Sequence, residues 1–228
     1  MENESPLVIT ISRQLGSGGA LLGQKLAEKL GMLYLDQKII KEVAEKLGVL
    51  TEDIEWRDER IISEWRSVIK LLASVQPKIS YPMFEMAVPN VPVTLSNKEL
   101  FEAESEIISR AAKEKPAVII GRCGSYILRN HPKHVSIFLH ANIEFRKQNV
   151  QEYYGVSDKD AAQIIESADK YRIRYIHEFT GCDMNDARQY HLSIDAGVLG
   201  LDGAVNLVSE YIQNRFGYVD LKSIDDCN

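Results

Sequence analysis

The residues best suited to chemistry form a short run, Gly16-Ser17-Gly18-Gly19, just after the apolar stretch Val8-Ile9-Thr10-Ile11. Glycines let a backbone approach an anion closely, and N–H groups at an open helix N-terminus point at it. The run therefore suits a phosphate, with Ser17 able to add a hydroxyl donor. It departs from the full phosphate-loop pattern G-x-x-x-x-G-K-[ST]: Gly19 stands where the lysine belongs, and no Ser or Thr follows it. Taken alone, the run fits an ordinary tight turn slightly better.

Arginine is the second ingredient, because its planar fork takes phosphate oxygens two at a time. Arg122 directly follows the uninterrupted apolar run Ala117-Val118-Ile119-Ile120-Gly121. Arg146, Arg172 and Arg174 lie in a long excursion spanning Ile143 to Gly181. Lys170 and Arg174 are four apart, so on a helix they repel by roughly 0.2–0.5 kcal/mol, which an anion between them would relieve. Asp169 and Arg172, three apart, can instead pair with each other. Phosphoryl transfer needs positioning and neutralisation of developing charge, and a mobile segment that excludes water. A glycine loop, a strand-end arginine and an arginine-bearing lid together meet that need.

The elements that must position these groups alternate. Val8 to Ile11 reads as a buried strand, and Leu22, Leu26 and Leu30 mark one face of the helix after the glycines. Met32 to Asp36 predicts a second strand ending in a carboxylate. A helix follows from about Gln37 to Leu47, closed by Gly48. Ala117–Gly121, His134–Leu139 and Leu192–Asp195 predict three more strands, and Val205, Leu207, Val208, Tyr211 and Ile212 a closing helix. Strand–helix alternation implies a parallel sheet with crossovers, and ligands then bind at the carboxyl ends of the strands. Asp36, Arg122 and the glycines all fall on that edge.

Residues 51–97 break the alternation. An apolar helical face from Ile54 to Leu72 is followed by Pro77, Pro82, Pro89 and Pro92. This is an insertion over the sheet edge, or a homodimer contact made by Trp56, Trp65 and Phe84. Ser96-Asn97-Lys98-Glu99 is a capping box opening a helix through Leu100, Ile107 and Ala111.

The 228 residues are 45% apolar and 26% charged, with a net charge of −6, which argues against a general polyanion surface and against nucleic acid as a partner. Three dispersed cysteines, Cys123, Cys182 and Cys227, argue for a reducing compartment. No apolar run reaches membrane-spanning length and the acidic N-terminus lacks a signal-peptide pattern, so a cytoplasmic location is expected. No histidine–cysteine spacing suggests a metal site.

At this point the motifs become specific. Ile9 to Gly19, Leu33-Tyr34-Leu35-Asp36, Val118 to Cys123, Ile137-Phe138-Leu139 with Glu144-Phe145-Arg146, and Asp169-Lys170 with Arg172, Tyr175 and Phe179-Thr180-Gly181 follow one another in order. Together with Tyr190 to Asp195 they resemble the cytidylate kinase-like family over nearly the whole chain, least between Ile54 and Asn97. The resemblance implies an α/β fold: one domain over 1–228, a five-stranded parallel sheet flanked by helices, a monophosphate-side insertion at 51–97 and a lid at 143–181. It implies ATP and Mg²⁺ as cofactors and a nucleoside monophosphate, CMP first, as acceptor. Arg13, Gly16, Ser17, Gly18, Gly19 and Ala20 would hold the donor phosphates, and Asp36, Arg60 and Arg122 would face the monophosphate. Arg122, Arg146, Arg172 and Arg174 would act on the transferring group. Mg²⁺ would be carried mostly by phosphates and water.

Ala20 replaces an arginine frequent in this branch, Cys123 an aspartate of ordinary cytidylate kinases, and Gln148 a basic residue. Three readings stay open: a nucleotide kinase, a non-catalytic nucleotide sensor on the same fold, and a kinase for another small acceptor.

Overall fold

The structure, a computed structural model, describes residues 5–37, 39–40 and 97–217. The expected helix after Asp36 therefore lies largely outside the described residues. So do Arg60, Trp56, Trp65, Phe84 and nearly all of the 51–97 insertion.

Five strands form one all-parallel sheet in the order β2-β3-β1-β4-β5. They are β1 (Val8–Arg13), β2 (Leu33–Leu35), β3 (Ala117–Ile120), β4 (His134–His140) and β5 (Leu192–Asp195). β1 is central, as its β-branched run buried on both faces requires. It extends two residues beyond the expected Ile11, so Arg13 is the last residue of the strand. The chain leaving β1 turns toward the β2 edge, whereas the chain leaving β4 turns toward β5. That divergence opens a crevice at the carboxyl ends of β1 and β4.

Alternation sorts the strands' side chains to two faces. Ile9, Ile11, Val118, Ile120, Ile137 and Leu139 pack with α1 (Gly19–Leu30) through Leu22 and Leu26. The same cluster includes Val205, Val208 and Ile212 from the last helix, named α6 below. Val8, Ala117 and Ile119 face the other way, onto Ile107, Ile108 and Ala111 of α2 (Asn97–Glu114). A short α3 (Gly124–Ile127) follows β3.

The long excursion consists of two helices, α4 (Ile143–Tyr154) and α5 (Asp158–Thr180). Gly155 ends α4 in the left-handed region, and the Ser157 side chain caps α5 at the Asp160 N–H. α6 (Ala196–Phe216) is interrupted at Gly200, whose φ of 71° and ψ of 164° are not helical.

Candidate functional site

The loop from Gln14 to Gly18 leaves β1 and enters α1 with the carbonyls of Gln14, Leu15, Gly16 and Gly18 tied into the protein. Gln14 O accepts from the Ser17 hydroxyl at 2.8 Å, Leu15 O from Arg146 Nε at 2.7 Å, and Gly16 O from Asn149 Nδ2 at 2.8 Å. Gly18 O accepts the first helical bond, from Leu22 N at 2.9 Å. Among the described residues no carbonyl takes the N–H groups of Gly16, Gly18, Gly19 or Ala20. The four N–H groups at Gly16, Gly18, Gly19 and Ala20 concentrate partial positive charge there, reinforced by the α1 N-terminus at roughly half an elementary charge.

Ser17 departs from the expectation. It is fully buried, its hydroxyl donates to Gln14 O and, at 3.3 Å, to Leu139 O, and its own N–H reaches Gln14 O at 3.4 Å. A hydroxyl satisfied by two protein carbonyls fixes the loop and offers no donor to a ligand.

Close approach explains two glycines. Gly16 has a φ of +77°, and a Cβ there would stand 2.6 Å from the main-chain oxygen of Arg146. Gly121, at the end of β3, leaves the room that the Arg13 guanidinium fills; the Arg13 stem lies against Gly19. Arg13 thus bridges the glycine loop and the end of β3.

Beyond Gly121 the backbone stays left-handed through Arg122 (φ 50°) and Cys123 (φ 55°). Consecutive non-glycine residues held there are costly and recur at functional sites. Arg122 is almost buried and makes an ion pair with Glu104 of α2, which is itself buried. The Tyr175 ring of α5 covers the guanidinium at 4.8 Å. Burial pushes the Glu104 carboxyl up in pKa, against the pull of Arg122. Burial also works against the Arg122 charge, but Glu104 and Tyr175 outweigh it, so the guanidinium is held above its ordinary value. The Arg122 Nε is buried and has no hydrogen-bond partner among the described residues. The thiol of Cys123 is not activated by this arginine: burial pushes it up to about 12.

The excursion's cations separate. Arg146 is only 6% exposed and carries its Nε to Leu15 O and a terminal nitrogen to Asp169. Its charge is engaged with the loop backbone and a carboxylate, where a phosphoryl-facing side chain was expected. Arg172 reaches Arg13 O at 3.5 Å and lies 3.8 Å from Asp169, the pairing its spacing allowed. Lys170 pairs with Glu166 at 2.6 Å, so the expected anion between Lys170 and Arg174 is not needed to balance it. Arg174 is exposed. At the far edge Asp36 accepts the Ile39 N–H at 3.0 Å, acting as a helix cap with one oxygen.

The sequence reading missed Glu104 and Asn149. Glu104 did leave a signal, since it falls four and seven residues before Ile108 and Ala111 on a buried face. A carboxylate on an apolar helical stripe requires a partner. Asn149 left none.

No cluster of three His, Cys, Asp or Glu able to hold a metal occurs among the described residues, and none of their helices is long and apolar enough to cross a membrane.

A sequence profile described as the cytidylate kinase-like family matches residues 8–197. The cytidylate kinase of Pyrococcus furiosus is 27% identical over 210 residues, covering 91% of this chain and 89% of that one. The cytidylate kinase of Pyrococcus horikoshii is 26% identical over the same extent. An uncharacterized protein from Eubacterium ventriosum has a solved structure that superposes with a TM-score of 0.66 at 24% identity, covering 92% of this chain and 99% of that one.

Proposed function

The chain belongs to the cytidylate kinase-like family, and on that premise we propose that it transfers the γ-phosphoryl group of ATP to a nucleoside monophosphate, CMP being the first candidate. The observation that carries the reading is the glycine loop, with bound carbonyls and unpaired N–H groups at Gly16, Gly18, Gly19 and Ala20. That arrangement fits an anion of high charge such as the donor triphosphate.

In this reading an acceptor phosphate oxygen attacks the γ-phosphorus while the bond to the β,γ-bridging oxygen breaks and ADP leaves. Catalysis rests on alignment and charge neutralisation. Arg13 and the loop amides hold the donor. Arg122 and Asp36, with Arg60 from the insertion, face the acceptor. Arg172 and Arg174 neutralise the transferring group, and the 143–181 hairpin acts as a lid. ATP brings Mg²⁺ to such a reaction, where it offsets phosphate charge. Neither Ala20 nor Leu21 adds a hydroxyl, so phosphate oxygens and water would carry the ion. The nucleotide substrates make the cytoplasm the proposed location.

A second reading, a nucleotide sensor without turnover, draws on the missing lysine at Gly19 and on Arg122 being occupied by Glu104. A thermal-shift panel of nucleoside mono-, di- and triphosphates, followed by an ADP-release assay on the hits, separates the two. Stabilisation by ATP and CMP with ADP release supports the kinase. Stabilisation without release supports the sensor. No shift with any nucleotide removes both.

A further inference from the structure

We propose that Asp169, acting through Arg146, is a positioning residue for the glycine loop. This carboxylate, more than 150 positions away in sequence, sets the shape in which the loop meets a phosphate.

The geometry is a closed ring around one peptide segment. Leu15 is the first loop residue past the last strand-type bond, from Gln14 N to Leu139 O at 3.0 Å. Its N–H donates to Asp169 Oδ1 at 2.9 Å. Its carbonyl accepts from Arg146 Nε at 2.7 Å, and another nitrogen of the same guanidinium pairs with Asp169 Oδ2. Both backbone groups of Leu15 are thus bound by one ion pair, which supplies the donor and acceptor that a strand ladder no longer offers. The Leu15 side chain is 1% exposed and packs in a separate apolar cluster with Val150, Ala161 and Ile165. One residue on, Gly16 O is held by Asn149. Every one of these partners comes from α4 or α5. The hairpin thus holds Leu15 O and Gly16 O, while the N–H groups of Gly16, Gly18, Gly19 and Ala20 are left without a carbonyl among the described residues.

The inference rests on the proposed reading that those amides hold donor phosphates. It gives Arg146 and Asp169 a task distinct from touching the transferring group: the donor senses Asp169 without contacting it.

Amide hydrogen exchange by NMR on the nucleotide-free full chain, combined with calorimetric titration of ATP, tests this in Asp169→Ala and Asn149→Ala. In Asp169→Ala, loss of a charge-assisted bond should speed Leu15 exchange at least about tenfold while Ile9 and Ile11 in β1 stay within about twofold, and should weaken ATP at least about tenfold. Asn149→Ala should weaken ATP in the same direction with β1 exchange unchanged. If Asp169→Ala does not fold, Asp169→Asn, whose neutral amide oxygen is a weaker acceptor for the Leu15 N–H and cannot form the ion pair with Arg146, carries the same readouts. Unchanged Leu15 exchange overturns the proposal. So does equal acceleration throughout β1, the mark of a merely structural role, and so does faster Leu15 exchange with ATP affinity intact. A wild-type chain that binds no triphosphate overturns the functional reading instead, and the Leu15 exchange rate then decides the clamp by itself.

Discussion

The ring of Tyr175 lies 4.8 Å from the Arg122 guanidinium, and its hydroxyl donates at 3.3 Å to the Glu104 oxygen that Arg122 does not use. The end of β3, the buried face of α2 and the helix α5 therefore meet at one ion pair. Phe179, four residues beyond Tyr175, stacks on Phe101 of α2 at 4.6 Å between ring centroids and extends the contact.

Removing one member of a buried pair leaves the other charge uncompensated. Glu104→Ala should therefore cost about 3–5 kcal/mol of stability. Tyr175→Phe removes a single hydrogen bond and should cost about 1 kcal/mol. Urea unfolding of both variants measures the difference. Equal losses would mean that Arg122 finds another partner when Glu104 is gone.

Ala20 stands at the start of α1, where the donor phosphates are proposed to sit. Ala20→Arg should tighten ATP binding by roughly tenfold, since a charge-assisted hydrogen bond contributes on the order of 1.5–3 kcal/mol. Arg122→Ala should remove turnover while leaving ATP binding in place. Calorimetry and ADP release check the two. Unchanged ATP affinity in the first and unchanged turnover in the second would put the donor phosphates elsewhere.

Two left-handed glycines should respond differently to alanine. At Gly155 a Cβ meets nothing within 4 Å, so only the backbone cost applies, about 1 kcal/mol. At Gly16 the same backbone cost is joined by a collision with the Arg146 main chain, so Gly16→Ala should cost more than Gly155→Ala by roughly 1–3 kcal/mol. It should also weaken ATP binding, whereas Gly155→Ala should not. Thermal melts and ATP titration rank the pair, and a Gly155→Ala loss as large as that of Gly16→Ala would refute the collision.

Stability should fall on mild acidification. His134 is buried, hydrogen-bonded to Thr10 at 2.8 Å, and held neutral by burial and by the neighbouring His191, His131 and Arg215, which lower it to about 3. The unfolded chain protonates this imidazole near its ordinary value of about 6.5, so between that value and about 3 the unfolded state binds more protons. The native advantage is full above that window and declines through it, by up to about 1.4 kcal/mol per pH unit. Urea midpoints across this range should drop in the wild type and drop less in His134→Gln. Parallel curves would assign the acid loss to other groups.

Much of the sheet was legible because strand burial is written locally. Ala117 to Ile120 has no polar residue, and such a run fits only a strand covered on both faces. The glycine turn was legible for a similar reason, since few residues tolerate the backbone of Gly16. The break between α4 and α5 was present in the letters as Gly155 and Ser157, inside the excursion the sequence left undivided.

The sequence by itself determined which apolar residues line the sheet, where the chain must turn and which edge of the sheet gathers the glycines, Asp36 and Arg122. Periodicity and local conformational preference act over a few residues, and these features need no more. Only the tertiary structure decided what each charge does. Arg146 could bind a phosphate or clamp Leu15, and Arg122 could stand free or pair with Glu104. Neither choice is written within a helical turn of either arginine. A buried charge takes whichever opposite group the packing brings within hydrogen-bond reach, and Asp169 and Leu15 are brought together from 154 positions apart in the chain.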